Sequence, residues 1–110
     1  MPPIRRFSAP VDVLSYEIVQ EQASALGRLG RGLEAALKTL QEFDAAHPRS
    51  EASPEERHTR RTLVAEAGYA LWMFVVQREA CGLRDSRSVM RDYKVPAEVQ
   101  ERMGVFPART

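Results

Sequence analysis

A chain of 110 residues, 44% of them apolar, is long and hydrophobic enough for one folded domain and is too apolar for a disordered one. Sixteen basic side chains against fifteen acidic ones leave a net charge of +1. No third of the chain holds the strong positive excess by which phosphate-tracking proteins gain affinity. Cys81 is the single cysteine and excludes an internal disulfide, while the longest apolar run, Ala70 to Val76, falls far short of the about 20 residues that cross a bilayer. With no signal-like apolar core near the start, a cytoplasmic protein without a membrane segment is expected.

In chain order, residues 1–10 hold three prolines without periodicity and read as a flexible arm. A first helix is predicted over 12–46, capped by Asp12 and stopped by His47-Pro48. Leu14, Ile18, Ala25, Leu29, Leu33, Ala36, Leu40 and Phe43 recur at three- and four-residue steps and give it one apolar stripe. Val19, Leu26 and Leu37 widen that stripe beyond a single seam, so more than one neighbour is expected. Glu34 and Lys38 stand as an i,i+4 pair.

Glycines 27, 30 and 32 interrupt this helix at about 1 kcal/mol each against alanine and so call for a reason. The favoured reading is close packing: Ala23, Gly27 and Gly30 share a face beside Leu26, Leu33 and Leu40, and these six residues are the predicted helix-packing interface. A break near residue 30 and a phosphate loop are the alternatives. The glycine order matches neither common phosphate fingerprint, and no strand precedes it.

After a polar linker, Ser53-Pro54-Glu55-Glu56 has the form of a capping box with proline at the first helical position. The second helix is predicted over 54–81, ending at Gly82 in the left-handed conformation. Val64, Ala67, Leu71, Phe74 and Val75 form one stripe. A second stripe of Tyr69, Trp72 or Met73, Val76, Ala80 and Leu83 makes this a sandwiched helix, packed on the first helix and on the C-terminal segment. Arg57, Arg60 and Arg61 make a short basic cluster, a candidate patch for an anion or a partner, with Glu56 and Arg60 at i,i+4 spacing. Glu55-x-x-His58 is half of a di-iron motif, but no second half exists, and acids are expected in a first helical turn anyway. Cys81, at a helix C-terminus, reads as a small buried thiol.

Two short helices are predicted over 86–93 and 96–103, the second opened by Pro96 and closed by Gly104, with Glu98 and Arg102 as a further i,i+4 pair; residues 105–110 read as a tail. Helix, break, helix has the outline of a helix-turn-helix. Lys94 stands where that turn usually has glycine, and the second helix would offer Glu98 and Glu101 to phosphates.

The stretches Val75 to Asp85, Tyr93 to Val99 and Ser24 to Arg31 give the chain its resemblance to a small family of bacterial all-helical proteins of unknown function. That resemblance spans most of residues 13–104 and implies no functional residue.

The fold expected is all-α: a single helical domain over 11–104, a long antiparallel hairpin plus two short C-terminal helices, paired into a dimeric four-helix arrangement that covers the wide stripe. No catalytic, cofactor or metal site is assigned. The function expected is a non-enzymatic protein–protein interaction module, a small regulator, adaptor or assembly factor, acting as a homodimer or on a protein partner. The alternative is a DNA-binding regulator using residues 86–103.

Overall fold

The computed structural model describes the backbone of residues 4–104 and side-chain surroundings from Asp12 to Gly104. The proposed tail at 105–110, and the first three residues of the proposed arm, lie outside the described residues.

Helix α1 spans Ile4–Ala46, α2 Pro54–Ala80, α3 Ser86–Asp92 and α4 Ala97–Glu101, and a single 3-10 turn at Arg49–Glu51 crosses the hairpin. No strand occurs among the described residues. The two long helices form the expected hairpin, with α4 laid on the other side of α2. α1 begins ahead of Asp12 and runs unbroken through Gly27, Gly30 and Gly32. The backbone of residues 4–10, read from sequence as an arm, is therefore helical, although Pro10 leaves one i−4 hydrogen bond unmade.

Local chemistry explains each boundary. His47 turns back so that its ring stacks on Phe43, with centroids 4.1 Å apart, and its Nδ1 lies 3.0 Å from the Phe43 carbonyl oxygen, one of the last carbonyls of α1. Pro48 then prevents continuation. At the start of α2 both halves of the capping box are closed: the Glu56 amide donates to Ser53 Oγ at 3.1 Å, and the Ser53 amide donates to Glu56 Oε1 at 2.8 Å. At its end, Gly82 adopts φ 88°, the Leu83 amide reaches the Arg78 carbonyl and the Gly82 amide the Glu79 carbonyl, which is a Schellman motif. Asp85 caps α3 by accepting from the Arg87 amide. α3 closes with the same motif as α2: Val95 donates to the Met90 carbonyl and Lys94 to that of Arg91. Here the left-handed residue is Lys94, at φ 52°.

One hydrophobic cluster unites the elements. Leu33 and Leu40 of α1 meet Val64, Ala67, Leu71, Phe74 and Val75 of α2, and Val89, Val95 and Val99 close it from the C-terminal segment. Tyr93 sets its ring edge-on to Phe74, with centroids 5.4 Å apart. α2 is sandwiched as expected, but not through the second stripe proposed for it. Tyr69, Val76 and Leu83 each remain more than two-fifths exposed. The face that meets α4 carries Ala65 and Gly68 instead, because the backbone of Arg102 comes too near for anything larger: a Cβ on Gly68 would lie 3.0 Å from the Arg102 carbonyl oxygen.

The molecule measures 74 × 31 × 20 Å with a radius of gyration of 19.5 Å, whereas a compact chain of this size has about 13 Å. The cause is unequal helix length. α1 has 43 residues and α2 has 27, and the surplus of 16 is about 24 Å of helix that α2 is too short to reach.

Candidate functional site

The apolar stripe of α1 divides into a covered half and an uncovered half. From Ala25 to Phe43 its residues are buried or half-buried: Leu33 is 0% and Leu40 3% exposed, and Leu26, Leu29, Ala36 and Leu37 pack on the cluster. Every residue from Asp12 to Glu21 is exposed. Leu14 and Ile18, which belong to the same stripe, are each 59% exposed, and Val13, Tyr16 and Val19 lie between 55 and 63%. The periodicity that makes these residues helical is the one that buries their counterparts nearer the hairpin bend. What differs is only that α2 ends at Ala80. Five large apolar side chains stand exposed around about two turns of helix, Leu14 and Ile18 among them on the line of the stripe.

Two polar contacts of this projecting stretch, Asp12 to Glu21, stay within α1. Gln20 Nε2 donates to the Tyr16 hydroxyl at 3.1 Å, and Arg28 lies 3.7 Å from Glu21, both within α1.

The predicted helix-packing residues fall in three places. Leu33, Leu40 and Gly30 are buried, Leu26 and Gly27 are half-buried, and Ala23 is exposed. Gly30 meets side chains: a Cβ there would sit 2.9 Å from the Tyr93 hydroxyl and 3.4 Å from the Phe74 ring. A Cβ on Gly27 would meet only the flexible Arg31, and one on Gly32 would meet nothing within 4 Å. The close backbone approach expected at Gly27 and Gly30 occurs instead at Gly68.

The basic patch is likewise divided. Arg57 and Arg61 are exposed beside a pocket of about 210 Å³ at the hairpin bend, but Arg57 donates to the Ala52 carbonyl at 2.7 Å. Arg60 turns inward between two carboxylates. Its Nε and Nη2 donate to Asp44 at 2.7 and 3.0 Å, and its Nη1 and Nη2 donate to Glu98 at 2.8 and 2.6 Å. Only 13% of its side chain is exposed. This bidentate clamp ties α2 to α1 and to α4. It holds the Asp44 and Glu98 carboxyls below their ordinary range, chiefly by hydrogen bonding to the guanidinium, and it raises the pKa of Arg60. Sequence spacing missed it because the partners of Arg60 lie 16 and 38 positions away. Glu56, the i,i+4 partner expected for Arg60, is taken by Ser53, and its other oxygen lies 3.8 Å from His47 Nε2. The Glu98–Arg102 pair gives way for the same reason, and Glu34 and Lys38 do not close an ion pair.

Glu55 and His58 are exposed on the first turns of α2, and among the described residues no three His, Cys, Asp or Glu side chains converge on one point. Cys81 is half-exposed rather than buried, because it caps α2 at the edge of the core; the Gln77 amide lies 3.7 Å from its sulfur. In the helix-turn-helix outline, α4 has five residues, Val99 is fully buried and Glu98 is held by Arg60. The Gln100 side chain donates to the Val95 carbonyl. No helix among the described residues is long and apolar enough to cross a membrane.

Residues 3–110 match the sequence model of a family of unknown function, DUF6665, and the chain belongs to that family. No curated protein and no solved structure matches the chain.

Proposed function

We propose that this protein is a non-enzymatic helical interaction module whose contact surface is the projecting arm of α1. One observation carries the reading: the stripe that builds the core between Ala25 and Phe43 continues onto Leu14 and Ile18, which no described residue of the chain covers. Covering Leu14 and Ile18 is worth roughly 1 kcal/mol each, set beside the about 5–15 kcal/mol by which domains are stable. The ionisable groups with shifted pKa values, Asp44, Glu56, Arg60 and Glu98, are all accounted for by the clamp and the helix cap, so none is left poised for acid–base work. Self-association into a homodimer is the simplest way to cover the arm, and a role as regulator, adaptor or assembly factor follows from such a surface. No observation favours the DNA-binding alternative: of the groups its second helix would present, Glu98 is held by Arg60, Gln100 donates to the Val95 carbonyl, and Glu101 is an exposed acid of the wrong sign for phosphate.

The experiment is a capture assay comparing wild-type protein with the double variant Leu14→Asp, Ile18→Asp. Both side chains stand in water in the single chain, so the variant keeps the hairpin and its helix content by circular dichroism and loses only the stability that a partner adds. Loss of every specific partner, including the protein itself, is the expected result. An unchanged set of partners would place the interaction surface elsewhere.

A further inference from the structure

The interaction arm leaves the basic cluster of Arg57, Arg60 and Arg61 unused, and the fold changes its membership. Arg60 leaves the cluster for the clamp. Arg49, carried on the 3-10 turn between the long helices, joins Arg57 and Arg61 around the recess of about 210 Å³ at the hairpin bend. We propose that this recess binds one phosphate-type oxyanion, held by the guanidinium groups of Arg49, Arg57 and Arg61. It lies at the other end of α1 from Leu14 and Ile18, so it stands or falls independently of the interaction surface.

The fold gathers cations here and leaves their donors open. Arg57 and Arg61 stand one turn apart on α2, where like charges repel, and Arg49 adds a third to the same wall. The side chains of Arg49 and Arg61 donate to no group among the described residues. Arg57 uses one N–H, from Nη1 to the Ala52 carbonyl at 2.7 Å. The nearby acids are already engaged. Among the described residues that line the recess Glu56 is the only acid; its Oε1 accepts from the Ser53 amide at 2.8 Å, and its Oε2 lies 3.8 Å from His47 Nε2. Asp44 and Glu98 are hydrogen-bonded to Arg60, and the charge of Arg49 reaches both of them as well. With these counted, four guanidiniums face three carboxylates, so the surplus is positive even with His47 neutral.

A phosphate group suits this set better than a carboxylate. It carries about −1.5 to −2 charge near neutral pH and offers three strong acceptor oxygens, so guanidiniums on different sides can each donate to it. The recess has the volume of about seven waters, which is room for one phosphate and a small body attached to it. The stacked rings of Phe43 and His47, with centroids 4.1 Å apart, and the Ala52 side chain give the recess its less polar wall. Free phosphate and a small phosphate monoester share the chemistry that these groups recognise.

Isothermal titration calorimetry of the full chain with inorganic phosphate and with phenyl phosphate, at constant ionic strength, tests the assignment. Saturable binding at one site per chain is expected, weakened ten-fold or more in the double variant Arg49→Gln, Arg61→Gln. Both side chains are exposed and hold no hydrogen bond among the described residues, so this variant keeps its helix content by circular dichroism. Arg84→Gln, Arg87→Gln removes the same charge beyond the other end of α2 and is expected to change the affinity less than two-fold. Tighter binding of phenyl phosphate identifies the monoester as the ligand, and equal or weaker binding identifies the free ion. No saturable binding of either anion, or equal weakening in the two double variants, overturns the site.

Discussion

Lys94 spends conformational energy that glycine would not. Its φ of 52° is the left-handed conformation that closes α3, and an L side chain with a Cβ is disfavoured there. Lys94→Gly should stabilise the fold by about 0.5–1 kcal/mol, seen as a melting temperature higher by a few degrees. Gly68 has the opposite sign. With Arg102 Cβ and backbone inside 3.1 Å of any added Cβ, Gly68→Ala should lower stability by about 1–3 kcal/mol, while Gly32→Ala, in open space on the same fold, should raise it by up to about 1 kcal/mol. Chemical denaturation of the two variants checks both. The residues legible in sequence were those whose partners lie within one turn: Ser53 and Glu56 are three residues apart, and Gly82 follows directly on its helix. Arg60 and Gly68 were not legible, because what they touch comes from an element brought near only by the complete fold.

At the scale of elements, spacing located the four helices, and the main stripes identified the faces on which α1 and α2 meet, but not the face of α2 that meets α4. Helix length relative to a neighbour escaped it. The stripe on α1 is continuous in sequence from Leu14 to Phe43, and periodicity cannot distinguish the stretch that α2 covers from the stretch it does not reach. The Gly27 to Gly32 run holds no break, which was the alternative reading: Gly30 is packed against Tyr93 and Phe74, while Gly27 and Gly32 bear the cost of glycine in a helix without a close neighbour from another element. The clamp of Arg60 joins three helices, and it sets a pH dependence. Asp44 and Glu98 have folded-state pKa values below their ordinary ones, so their contribution to stability is complete above the unfolded carboxylate range, near pH 4, and is lost as pH falls through the folded values. Thermal melts should decline from about pH 4 downward, and Glu98→Gln should lower stability at pH 7 and flatten that decline. Arg60→Met, which leaves two carboxylates facing each other, should cost more than Glu98→Gln at pH 7 and less at pH 3.

For the whole molecule, shape and function have one cause. A 74 Å body keeps the stretch from Asp12 to Glu21 of its longest helix outside the core, and that stretch carries, in Leu14 and Ile18, the same apolar stripe as the buried part. Nothing in the arm's sequence marks it as a surface. It becomes one because α2 stops at Ala80. The most direct measurement of this claim is hydrogen–deuterium exchange of the full chain at rising protein concentration. Amides from Asp12 to Glu21 should become protected as concentration rises and lose that protection in Leu14→Asp, Ile18→Asp, while those from Leu26 to Phe43 stay protected throughout. Arm amides that exchange at one rate at every concentration, equally in wild type and variant, would contradict the account.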